Sequence, residues 1–105
     1  MSNFSAKQFL VLAVHQALLG EIHPQLRQAS IEADDTIHLV RLRFEYDGAP
    51  NHIAWEKCSC AAAEVISSFP APWIMDDEHL SVCSSSQLSP LKYIVYRRWE
   101  PSDAA

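Results

Sequence analysis

Leu39-Val40-Arg41-Leu42-Arg43-Phe44-Glu45-Tyr46 is the stretch on which the fold turns. Val40, Leu42, Phe44 and Tyr46 fall on one side of an extended chain, and Leu39, Arg41, Arg43 and Glu45 fall on the other. A period of two this regular specifies a strand with one packed and one wetter face, as in an antiparallel sheet covered by helices on a single side. Just upstream, Asp34-Asp35-Thr36 is turn chemistry. Before that turn, Ala29, Ile31 and Ala33 alternate with Gln28, Ser30 and Glu32, so a first strand is expected over about Leu26–Ala33.

A helix precedes this hairpin. Ser5 is suited to cap it, with Gln8 as the reciprocal partner of a capping box and Phe4 and Phe9 spaced as a hydrophobic staple. Phe9, Leu10, Ala13, Val14, Ala17 and Leu18 share one face, and Gly20 supplies the stop. Leu12 and Leu19 fall among the polar residues instead, so they are either covered by a loop or available to a partner. Downstream, Asp47-Gly48-Ala49-Pro50 is a turn and Asn51 caps a second helix. Its buried stripe is expected to be Ala54, Trp55, Cys58, Ala61, Ala62, Val65, Ile66 and Phe69, and Pro70 ends it.

The remaining strands are less regular. Trp73-Ile74-Met75 begins a third strand, Asp76-Asp77-Glu78 reads as a turn or bulge, and His79–Cys83 alternates weakly. Ser84–Pro90 is a polar loop, and Leu91–Trp99, rich in Tyr, Ile and Val, is a fourth strand. The expectation is an α+β fold of order α-β-β-α-β-β, with two helices packed on one face of a mostly antiparallel four-stranded sheet. The plan of a helix followed by two strands occurs twice, in a single domain over 1–105 with a frayed tail from about 101.

Thirteen acidic residues against eight Lys and Arg give a formal net charge of −5. Nucleic-acid affinity rests on cations that neutralise phosphates, so nucleic acid is excluded as the expected partner. The balance suits a basic protein partner, or simply solubility. The three cysteines are an odd number, and the apolar Phe9–Val14 is far too short to span a bilayer and lacks a basic leader. A cytoplasmic protein with reduced thiols and no membrane partner is expected.

Catalytic vocabulary is missing. Cys58-Ser59-Cys60 lacks zinc spacing, and no second pair completes a ligand set. Cys60 or Cys83 with His79 is the nucleophile–base pairing to consider. No catalytic residue, metal or cofactor is therefore assigned. The acidic runs Asp34-Asp35 and Asp76-Asp77-Glu78 are turn chemistry, a patch that faces a partner, or part of a metal-assisted catalytic site that would need a further ligand from elsewhere. Tyr93, Tyr96, Arg97, Arg98 and Trp99 are residue types found at interface hot spots, and alternation would put Tyr96 and Arg98 on one face with Tyr93, Arg97 and Trp99 on the other. The candidate contact residues are Asp34, Asp35, Asp76, Asp77, Glu78, Arg98 and Trp99.

The segments RLRFEYDGAPNHIAWE (41–56) and LSPLKYIVYRRWEP (88–101), in a small acidic domain without catalytic residues, resemble the immunity proteins of bacterial polymorphic toxins, including those of contact-dependent growth inhibition. The resemblance implies stoichiometric binding of a cognate toxin domain, often a nuclease, and transfers no site residue by motif. The rival expectation is a small secretion chaperone or adaptor, a homodimer that holds a partner segment on Leu12 and Leu19. A small enzyme is the third, and needs a pocket where Cys, His and carboxylates converge. The toxin reading is compatible with a monomer.

Overall fold

A computed structural model describes residues 6–101. Its elements are α1 (Lys7–Leu18), β1 (Leu26–Asp34), β2 (Leu39–Tyr46), α2 (His52–Ile66), β3 (Ile74–Ser81) and β4 (Tyr93–Arg97). The α-β-β-α-β-β order is therefore the observed one. The sheet runs β3-β2-β1-β4. β1 is antiparallel to both β2 and β4, whereas β2 and β3 are parallel. β3 and β4 thus lie on opposite edges and do not form a second hairpin. The repeated plan ends at the element order, because α2 carries the chain over to a parallel partner for β2.

The period-two residues of β2 make the core. Val40, Leu42, Phe44 and Tyr46 are completely buried, in one cluster with Leu10, Val14 and Ala17 of α1 and Ala54, Cys58, Ala61, Ala62 and Val65 of α2. The two helices also pack on each other, where alanines at 61 and 62 permit close approach. Asn51 caps α2 through its side chain, which accepts from the Ala54 N–H at 2.8 Å. Gln25 holds the preceding turn, donating to the Asp47 and Ala49 carbonyls and accepting from the Asn51 N–H.

Several expectations are corrected. Ser5 and Phe4 lie outside the described residues, and the N-cap of α1 is Ala6, which has no side-chain oxygen to offer. Gly20 does stop the helix region in the left-handed conformation, φ 79°, and the Glu21 N–H returns to the Leu18 carbonyl. Trp55 is not in the buried stripe. It is 46% exposed and lies tilted over His79 at 5.0 Å. Asp76-Asp77-Glu78 is neither turn nor bulge but the middle of β3. Three acidic residues are tolerated in this strand because the register sets Asp76 beside Arg41 and Glu78 beside Arg43.

The sheet's second face is not simply wet. Glu45, Gln28 and Ser30 are buried. The chain from Val82 to Leu91 crosses this face from the β3 edge to the β4 edge and bonds to it as it passes. Ser89 N–H donates to Glu45 at 2.6 Å, Arg43 donates to the Ser89 carbonyl, and the Leu91 N–H donates to Ser30. Gln28 completes the set through Glu45.

The strap is anchored by Arg27. The register passes from Leu26↔Tyr46 to Gln28↔Glu45, so a bulge sets Arg27 outside the pairing. Its Nε and Nη2 form a fork on Glu100 at 2.7 and 2.8 Å, and its Nη1 reaches the carbonyls of Val82, Cys83 and Ser86. Both partners are buried, at 4% and 6% exposure. Hydrogen bonds from Arg27, assisted by Arg98, hold the Glu100 carboxyl well below its usual range, at about 2.

Arg27→Ala leaves a buried carboxylate without its fork and is expected to cost about 3 kcal/mol or more, measured by urea unfolding at neutral pH. Because the folded-state value of Glu100 is depressed, its contribution is complete above about pH 4.5 and is lost as the pH falls through about 2. Glu100→Gln should therefore show a flatter loss of stability on acidification. A variant that acidifies with the wild-type slope would contradict this account.

Candidate functional site

Register, not sequence proximity, assembles the strongest charged surface. Across three adjacent strands Glu32, Arg41 and Asp76 lie in one row, with Asp34 one position pair further towards the hairpin turn. Arg41 stands 3.7 Å from Glu32 and 3.9 Å from Asp76. In the next row Arg43 pairs with Glu78 at 2.8 Å. A depression of about 280 Å³ is lined by Glu32, Asp34, Asp35, Ile37, Arg41 and Lys92. Carboxylates outnumber cations at this end of the sheet, so it keeps a negative field after its internal pairs are counted.

The candidate residues do not all belong here. Asp34, Asp35, Asp76 and Glu78 do. Asp34 also shapes its turn, accepting from the Thr36 N–H and hydroxyl, and the Thr36 hydroxyl leads the causes that lower its pKa. Asp77 sits on the helix side of β3, where it meets His79 Nε2 at 2.8 Å. Arg98 and Trp99 lie beyond the other end of β1, roughly 20 Å of strand away. The Arg98 guanidinium is engaged by Asp47, Glu100 and the Pro24 carbonyl, which makes it part of the Arg27 clamp region. Trp99 is 70% exposed. Glu32 also belongs to this surface: it shares the parity of Gln28 and Ser30, which marks the polar face, but no acidic residue adjoins it in the sequence to single it out.

Alternation also misplaces the fourth-strand aromatics. A bulge falls at Val95, where Ala29↔Tyr96 passes to Ser30↔Ile94. Tyr93 and Tyr96 both pack against the core, while Ile94 and Arg97 line the opposite face.

His79 and Cys83, two of the groups considered for nucleophilic chemistry, are bonded to other partners. His79 Nδ1 meets the Tyr46 hydroxyl at 2.7 Å, and its other nitrogen is on Asp77. Cys60 is exposed on α2, and Cys83 bonds to the hydroxyls of Ser85 and Ser86. Cys58 and Tyr46 are both completely buried in the core. Burial raises Tyr46 and pushes the Cys58 thiol up to about 11, so neither is a nucleophile at neutral pH. Among the described residues no three His, Cys, Asp or Glu side chains stand close enough together to hold a metal ion. No helix among them is long and apolar enough to cross a membrane.

A family model described as MafI2 immunity protein matches residues 7–100. No curated protein matches the chain.

The cysteines give a direct check of this geometry. The serine hydroxyls lower the exposed Cys83 to about 7, whereas Cys58 is buried and raised. Brief iodoacetamide treatment at pH 7, followed by peptide mass spectrometry, should modify Cys83 first and Cys58 last. Early modification of Cys58 would mean that the Tyr46 network is open to solvent.

Proposed function

This chain belongs to the MafI2 immunity protein family, and from that premise we propose that it neutralises its toxin by stoichiometric binding, with the acidic end of the sheet turned towards a basic nuclease domain. The observation that carries the orientation is the convergence of Glu32, Asp34, Asp35, Asp76 and Glu78. A nuclease must attract phosphates with cations, and a carboxylate surface competes for the same field. Steering of this kind acts mainly on the association rate. The partner is proposed to be the variable C-terminal domain of a contact-delivered toxin, met in the cytoplasm. The three free thiols suit that compartment.

The protein acts in this reading as a blocker and not as an enzyme. Both ring nitrogens of His79 are taken, by Tyr46 and Asp77, and Cys83 bonds to Ser85 and Ser86, which supports that. The chaperone alternative draws on Leu12 and Leu19, which are 57% and 78% exposed. It requires a stable homodimer, and sizing of the purified protein distinguishes the two.

Co-expression with the adjacent toxin domain should restore survival of otherwise poisoned cells. In stopped-flow mixing, association should slow as salt is added. Asp35→Lys combined with Asp76→Lys should lower the low-salt association rate by about tenfold or more, in protein whose urea transition confirms that it is still folded. A rate that is the same at low and high salt would sink the steering proposal, while survival would still support the immunity role.

A further inference from the structure

We propose that Ile37, Leu39 and Ile74 form the apolar centre of the toxin contact, and that they receive an apolar side chain standing between lysines or arginines on the basic toxin domain. This inference rests on the toxin-binding reading above and deepens it, because these residues lie within the acidic end of the sheet. Register sets them there. Asp34, Leu39 and Ile74 share one row across β1, β2 and β3, beside the row of Glu32, Arg41 and Asp76 and on the same face. Ile37, in the turn between β1 and β2, lines the same depression of about 280 Å³ as Leu39. Ile37 and Ile74 are 59% and 60% exposed.

The turn that carries Ile37 is fixed at both ends. Where it begins, Asp34 accepts from the Thr36 N–H and hydroxyl. Where it ends, His38 takes a left-handed backbone, φ 53°, which a residue with a side chain keeps only when its surroundings hold it. The His38 ring meets the buried Trp73 edge-on at 5.3 Å, and the His38 carbonyl accepts from the Ile74 N–H at 3.0 Å. His38 thereby ties the Ile37 turn to the strand that carries Ile74. Hairpin turns are ordinarily built from polar residues and glycine. An isoleucine held in one has little loop freedom left to lose on binding.

The rim of carboxylates decides the occupant. Glu32, Asp34, Asp35 and Asp76 surround these apolar residues, against the two cations Arg41 and Lys92. Arg41 stands 3.7 and 3.9 Å from its carboxylates, beyond hydrogen-bond distance, so they keep acceptor sites for cations from a partner. A second copy would set one net negative rim against another, and like charges across an interface are unfavourable. A basic domain meets no such repulsion. An apolar centre inside a polar rim is the arrangement in which central residues carry most of the binding energy. Two sets of groups on one surface therefore act on different rates: the carboxylates on association, the isoleucines on dissociation.

Ile37→Thr combined with Ile74→Thr, set against Ile37→Val combined with Ile74→Val, tests this directly. Threonine and valine share a branched shape, so the two variants differ in polarity alone. With the adjacent toxin domain, the threonine variant should dissociate about tenfold or more faster than the valine variant, while their association rates agree within about twofold. Equal dissociation rates overturn the inference, and association of the wild-type chain that slows with salt would then leave the steering reading standing. Should the threonine variant not fold, hydrogen–deuterium exchange of the wild-type chain decides: exchange at Ile37 and Ile74 should slow by about tenfold or more with toxin bound, and unchanged exchange overturns the inference. Self-association that the valine variant keeps and the threonine variant loses overturns it in favour of a second copy. Failure of the wild-type chain to bind the toxin removes both readings.

Discussion

Burial of the Arg27 guanidinium is the constraint on which the rest of the structure depends. A charged group with several N–H donors is stable at 4% exposure only if those donors are met. Glu100 meets two of them, and three carbonyls of the strap meet Nη1. One side chain on a bulge of β1 thereby fixes the crossing of the second sheet face and the return of the chain after β4. Arg98 then closes the same corner through Asp47, Glu100 and the Pro24 carbonyl.

The strap divides the polar face into two regions. Beneath it, Gln28, Ser30 and Glu45 are buried and bonded, and no buried side-chain N or O among the described residues is left without a partner. Beyond it, towards the Asp34 turn, the carboxylates remain in contact with solvent. Arg41 and Arg43 run through that region and reduce the mutual repulsion of the carboxylates without cancelling their field. The same two arginines let β3 carry three acidic residues in a row. The feature that permits an acidic edge strand is thus also what gathers a negative surface at one end of the sheet.

Much of this architecture was legible in local pattern. The β2 alternation marks its core face, Asn51 is recognisable as a cap and Gly20 as a stop, because each depends on interactions within a few residues. The candidate site was legible only in part. Asp34, Asp35, Asp76 and Glu78 come together, but Asp77 turns to the helix side, Arg98 is engaged in the clamp region, and Glu32 joins unannounced. Simple alternation puts Tyr93 and Tyr96 on opposite faces, but a bulge at Val95 shifts the pattern so that both meet the core, and Val95 carries no local mark of one.

The sequence by itself determined the elements, their order, the packed face of β2 and the excess of acidic over basic residues. Those properties follow from side-chain type and spacing along the chain. Tertiary structure alone decided that β3 runs parallel beside β2, that β4 lies at the far edge, and that residues 82–91 cover the polar face between them. Pairing partner and register depend on contacts between residues distant in sequence, such as Arg27 with Glu100 and Arg43 with Glu78. Charge could be counted from the chain, but where it gathers was set by register.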